Sequence, residues 1–197
     1  MSKTVEFFFD FGSPTTYLAH TQLPAICAAH GANLEYRPIL LGGLFQATKN
    51  ASPVMVPAKG RYMMIDLARF ATRYGVPFKL NPHFPINTLQ LMRMAVGVQE
   101  QHPERFMDFA SAVFNALWVA GKNLGDPAVL AEVLSAAGFA PPALLALTAD
   151  EAVKTKLKAN TEEAVRRGAF GAPTFYIGEQ MYFGQDRLDF VAEALRD

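Results

Sequence analysis

The sequence predicts an α/β chain that runs strand–helix–strand at its start and strand–strand–helix at its end, with a long all-helical segment between. Three observations carry that prediction. The run Phe7-Phe8-Phe9-Asp10-Phe11-Gly12-Ser13-Pro14 takes an apolar strand through a turn and straight into a helix start. From Ala58 to Leu157 the apolar residues recur at helical spacing. Beyond Phe170 the pattern returns to strand, glycine turn and strand. The expected organisation is a discontinuous domain of residues 1–44 and 166–197, with residues 45–165 as a helical insertion.

Each element follows from its residues. Val5–Phe9 is apolar at almost every position, as expected of a strand covered on both faces. Pro14 opens a helix that reaches Ala29 and stops at His30-Gly31, with Pro24 inside it expected to kink it. Asn33–Leu40 alternates apolar and polar residues and makes a second strand, parallel to the first through a right-handed crossover. Gly42-Gly43, Lys49–Pro53 and Pro57 read as loop.

The helices of the middle follow. Lys59–Phe70 aligns Tyr62, Ile65 or Asp66, Arg69 and Phe70, and its helix ends at Tyr74-Gly75. A proline-rich loop leads to Asn87–Gln101, and Phe106–Val119 carries Phe106, Phe109, Val113, Phe114 and Leu117 on one stripe. Asp126-Pro127 opens a helix that closes at Gly138, and Thr148 with Glu151 makes a capping box for the next. The methionines here read as core filling. Phe170–Ile177 and Met181–Gly184 then form a hairpin about Gly178-Glu179-Gln180, and Arg187–Arg196 closes the chain as an amphipathic helix.

Composition bounds the function. The 197 residues are 51% hydrophobic and 18% charged with no net charge, which suits one globular domain carrying a large insertion. A neutral balance supplies no basic face for nucleic acid or an anionic membrane. No run approaches the roughly 18 apolar residues of a membrane span. The N-terminal residues lack the apolar core of a secretion signal, so a cytoplasmic protein is expected. Cys27 is the one cysteine, so neither an intramolecular disulfide nor a CxxC pair exists. The four histidines show no metal-ligand spacing, and no metal is expected.

Ser13 is the residue on which a function turns. Followed by Pro14, it is a favoured helix N-cap, and capping alone accounts for the pair. The same place, a helix N-terminus with unsatisfied N–H groups, also holds an anion such as a thiolate. The order βαβ…ββα is that of the thioredoxin fold, which sets its reactive group at the start of the first helix, opposite a cis-proline before the third strand. Ser13 and Ala172-Pro173 take those two positions.

Four motifs in order carry a family resemblance: Phe-Asp-Phe-x-Ser-Pro at 9–14, Lys-Gly-x-Tyr-Met-x-x-Asp-Leu at 59–67, Gly-Ala-Phe-Gly-x-Pro-Thr at 168–174, and Phe-Gly-x-Asp-Arg-Leu at 183–188. The chain resembles the 2-hydroxychromene-2-carboxylate isomerase family, which is grouped with the kappa-class glutathione transferases. The resemblance implies glutathione as the co-substrate and a homodimer as the assembly. It implies that Ser13 donates to the glutathione sulfur and holds it as thiolate. The Ala172 backbone, before Pro173, would pair with the cysteinyl part. Phe183, Gly184, Gln185 and Asp186 would take the γ-glutamyl end, with Asp186 on its ammonium, although Asp186 also suits a helix N-cap.

For the second substrate, the isomerases so resembled use a Lys, an Asn and a Tyr. The corresponding stretches here hold Gly42-Gly43-Leu44, Asn50, and His83-Phe84-Pro85. Asn50 and Phe84 are therefore the matching positions. Lys59 and Arg61 are candidates for the missing cation, or solvated helix charges. The expected chemistry is reversible thiolate addition to a small aromatic-derived acid. A kappa-type transferase that conjugates electrophiles and a non-catalytic thioredoxin-like binding module are the alternatives. A dithiol oxidoreductase is excluded by the single cysteine.

Overall fold

Strand β1 (Thr4–Phe9) is the axis around which the computed structural model, describing residues 2–196, is built. Successive strand side chains point to opposite faces. Val5, Phe7 and Phe9 enter the main core, while Phe8 enters a smaller one beneath the other face. Strand β2 (Asn33–Pro38) pairs parallel to β1, with Phe9 opposite Pro38. Strand β3 (Thr174–Ile177) pairs antiparallel on the other side, and β4 (Gln180–Phe183) closes the order β2-β1-β3-β4.

Helix α1 (Pro14–Ala29) connects β1 to β2 and continues through Pro24 as one element. Between β2 and β3 lie α2 (Leu41–Thr48), α3 (Pro57–Tyr74), α4 (Leu89–Gln101), α5 (Phe106–Trp118), α6 (Pro127–Ala136), α7 (Pro141–Leu147) and α8 (Glu151–Arg166). Helix α9 (Leu188–Arg196) packs against α1 and β3. The α5 stripe is the heart of the main core: Phe109, Val113, Phe114 and Leu117 are all fully buried. Phe114 packs edge-on against Phe11 at 4.7 Å and stacks on His20 at 4.7 Å. On the smaller face, Arg167 of the chain after α8 pairs with Glu6 and lies 3.8 Å over the Tyr176 ring.

Several expectations are corrected. Residues 41–48 form a helix despite Gly42-Gly43. The fully buried Leu44 and two tethers, Leu41 N–H to Asp10 Oδ2 and Leu40 N–H to Thr161 Oγ1, outweigh two poor helix formers. The cap of α8 is Asp150, whose carboxylate accepts from Ala152 N–H at 2.7 Å. Thr148 instead ends α7 in helical dihedrals and donates to the Leu145 carbonyl, so it lacks the extended backbone an N-cap needs. On α3 the buried face holds Leu67 and Ala71, while Tyr62 and Ile65 stand more than half exposed. Residues 170–173 stay outside the sheet, and β3 begins only at Thr174.

Candidate active site

Everything at the end of β1 is locked in place. The Asp10 side chain, 1% exposed, accepts from Gly12 N–H at 2.9 Å and from Leu41 N–H at 2.8 Å. Burial pushes its carboxyl pKa up, while the bonds from Gly12, Leu41 and Thr88 pull it back. The Trp118 indole N–H donates to the Phe11 carbonyl at 2.8 Å. Ser13 follows with extended dihedrals, and its Oγ accepts from Thr16 N–H at 3.2 Å. The helix cap is therefore real. It is also only half of what the hydroxyl does.

Ser13 Oγ donates to the Ala172 carbonyl at 2.9 Å, and Thr15 Oγ1 reaches the same oxygen at 3.2 Å. The Ala172–Pro173 bond is cis, as the sequence order leads one to expect; Phe84–Pro85 is a second cis bond that it does not announce. Behind Ala172, the Pro173 carbonyl accepts from Gly184 N–H at 3.0 Å, so the end of the hairpin is fastened to the same corner. The Tyr74 hydroxyl of α3 donates to the Gln185 carbonyl at 2.6 Å and fastens it from the other side. Burial raises the Tyr74 pKa to about 12, helped by Asp189 and Asp186 and opposed by Arg73.

Gly184 has φ 99°, and a Cβ there would collide with Asp186 Oδ1. A glycine is required for the carboxylate to fold back over the turn. Asp186 does not cap α9: its side-chain partner is Arg187 Nη1, at 2.6 Å. Gly171 has a similar constraint, since its Cβ would meet the Phe183 ring at 2.7 Å.

These corners meet around a cavity of about 550 Å³. Ser13, Ala172, Phe183, Gly184, Gln185 and Asp186 line one side, and Asn50, Lys59 and Phe84 are on its border with Met55, Val56, Met63 and Asp66. Two other hollows, of about 650 and 770 Å³, are larger, but neither holds a helix N-terminal hydroxyl facing a free volume. Pro173 sits buried behind the wall and does not line the cavity.

Two site expectations change. Arg61 is exposed and lines nothing, because two residues along a helix turn a side chain by about 200° from Lys59. Met63 and Asp66, four and seven positions after Lys59, return to its face. Asn50 is engaged structurally: its amide donates to the Phe170 carbonyl at 2.8 Å and its oxygen accepts from Ala51 N–H. Lys59, by contrast, has no carboxylate within ion-pair distance among the described residues. Cys27 is buried with its thiol pKa pushed up to about 11, and it is absent from the cavity lining.

Asp10, Thr15 and Tyr74 escape the sequence reading. A lone carboxylate inside an apolar run marks Asp10; nothing local marks the other two.

Residues 4–196 match the model of the DSBA-like thioredoxin domain. Over the full length of both chains, the sequence is 32% identical to a 2-hydroxychromene-2-carboxylate isomerase of Sphingobium xenophagum. It is 30% identical to glutathione S-transferase kappa 1 of Homo sapiens, covering 99% of this chain and 92% of that one. The solved structure of a 2-hydroxychromene-2-carboxylate isomerase superposes with a TM-score of 0.85 at 27% identity, over 98% of this chain and 94% of the other.

Proposed function

The chain belongs to the DSBA-like thioredoxin domain family and groups there with 2-hydroxychromene-2-carboxylate isomerases and kappa-class glutathione transferases, and from that premise we propose that it is a glutathione-dependent isomerase. The observation that carries the reading is the Ser13 hydroxyl at the α1 N-terminus, 2.9 Å from the Ala172 carbonyl, at a cavity wall where the protein has no thiol of its own. A free thiol of ordinary pKa, about 8.5, is mostly protonated at neutral pH. A hydroxyl donor and a helix N-terminus both favour its thiolate.

In this reading the glutathione sulfur lies against Ser13 Oγ and its thiol proton leaves to solvent. Ser13 attacks nothing; it donates its hydrogen to a borrowed thiolate. The cysteinyl backbone pairs with Ala172. The γ-glutamyl ammonium meets Asp186, and the N–H groups of the turn at Gln185 receive its carboxylate. The thiolate adds to an electrophilic carbon of a small aromatic-derived acid. A ring bond opens, a single bond rotates, and the thiol is expelled, so glutathione returns unchanged. Lys59 offers the substrate carboxylate its unpaired ammonium, and Phe84 and Met63 offer apolar contact.

Kinetics with glutathione and 2-hydroxychromene-2-carboxylate, with free thiol followed alongside product, test the proposal. Product formation at constant thiol is expected. Thiol consumed in step with an electrophile favours the second reading, a transferase, to which the match with human glutathione S-transferase kappa 1 lends support. Absence of glutathione binding by calorimetry overturns both and leaves a binding module.

A further inference from the structure

We infer that Thr15 is a positioning residue, which takes over the Ala172 carbonyl and so frees the Ser13 hydroxyl for the glutathione sulfur. The inference rests on the glutathione reading above. Its basis is a triangle of three oxygens. Ser13 Oγ lies 2.9 Å from the Ala172 carbonyl oxygen, Thr15 Oγ1 lies 3.2 Å from that oxygen, and the two hydroxyls are 2.7 Å apart.

A serine hydroxyl has one proton to donate. In the arrangement seen here, that proton is directed at a carbonyl, not at the cavity. Turning it toward sulfur strips a buried carbonyl of its partner, which costs free energy comparable with what the new bond to sulfur returns. Without a replacement donor the switch gains little. Thr15 is that donor: half-buried, on the cavity wall, and already within reach of the same oxygen.

The exchange conserves hydrogen bonds. In the exchange inferred here, Ser13 first donates to Ala172 and Thr15 to Ser13 Oγ, one of the two directions their 2.7 Å contact allows. After binding, Thr15 donates to Ala172 and Ser13 donates to the sulfur. Thr16 N–H remains on Ser13 Oγ throughout, so the helix cap survives. A carbonyl oxygen has two acceptor sites, so the second stays open for the cysteinyl N–H of glutathione.

The test is the apparent thiol pKa of bound glutathione, read from the ultraviolet absorbance of the thiolate across pH. Thr15→Val keeps the shape and removes the donor; it should raise that pKa by about one unit, or about tenfold less thiolate below the transition. Thr15→Ser should restore the wild-type profile, and it keeps the question open to measurement should the valine variant fold poorly. Because Thr15 acts through Ser13, adding Thr15→Val to Ser13→Ala should cause no further shift. A Thr15→Val profile matching a Ser13-dependent wild type overturns this inference alone, as does a further shift in the double variant. A wild type that does not lower the thiol pKa at all overturns the glutathione reading with it.

Discussion

The two walls of the cavity are built to different tolerances. The Ser13 wall and the layer behind it are fastened by hydrogen bonds between separate elements: Ser13 on Ala172, Gly184 on Pro173, Tyr74 on Gln185, Trp118 on Phe11. On the α3 side, Met55 and Val56 stand 73% and 46% exposed, and their backbone bonds run only to near neighbours: their N–H groups to Ser52 and Pro53, and the Val56 carbonyl from Gly60. Asn50, bonded to the Phe170 carbonyl, bridges one wall to the other. In the glutathione reading, a thiol presented identically at every turnover suits the first kind of wall. In the same reading, a second substrate suits the other, because loosely tied apolar side chains adapt at little cost.

The largest effect expected is at Ser13. Ser13→Ala should lower kcat roughly a hundredfold, in line with removing one preorganised donor from a developing or resident anion. Steady-state assay at several pH values should show the loss shrinking as pH rises past the free thiol pKa. A loss equal at all pH values counts against a thiolate role.

Next comes acid stability, which treats the walls as one body. His20 is buried against Phe114 and hydrogen-bonds the Tyr36 hydroxyl at 2.8 Å, and burial lowers its pKa to about 4. The unfolded chain takes up that proton near pH 6.5 and the folded one does not. Stability is thus full above pH 6.5 and declines as pH falls toward 4, by a total on the order of 3 kcal/mol. The buried Asp10 works in the opposite sense, its raised pKa favouring the fold as pH falls. Melting wild type and His20→Gln between pH 7 and pH 4 separates the two, since only the wild type should carry the histidine slope.

Gly184→Ala probes the hairpin corner of the tight wall. Its φ of 99° strains any side chain there, and a methyl group would also push the Asp186 carboxylate out of its place over the turn. Strain of this kind costs about 1–3 kcal/mol, and calorimetry should find glutathione bound about tenfold more weakly. The smallest effect belongs to the loose wall. Lys59→Met should raise KM for an anionic substrate roughly threefold, as exposed charges contribute little, and leave the glutathione thiol pKa where it was. A pKa that moves would mean that the walls are coupled.

Legibility followed the same divide. Ser13, Pro173 and the Gly184–Asp186 turn announce themselves because each is a local device: an N-cap before proline, a proline at a strand start, a glycine in a turn. The motif misplaces Arg61 because it gives composition while the helix phase decides direction, and a two-residue step faces away from the cavity. The glycine pair at 42–43 hid α2, whose stability comes from Leu44 in the second core and from the tether to Asp10. Thr15 and Tyr74 carry no sequence signal, as their partners lie 157 and 111 residues away.

What the chain by itself determined is the order of elements and the chemical type of the Ser13 corner. Period and capping are properties of neighbouring residues, and a serine in place of a thiol is written in one letter. What only the tertiary structure decided is which hydroxyl faces which carbonyl, which α3 charge borders the cavity, and that residues 159 positions apart share one hydrogen bond. Those are matters of distance between surfaces, set when both sheet faces are buried, and no local pattern contains them.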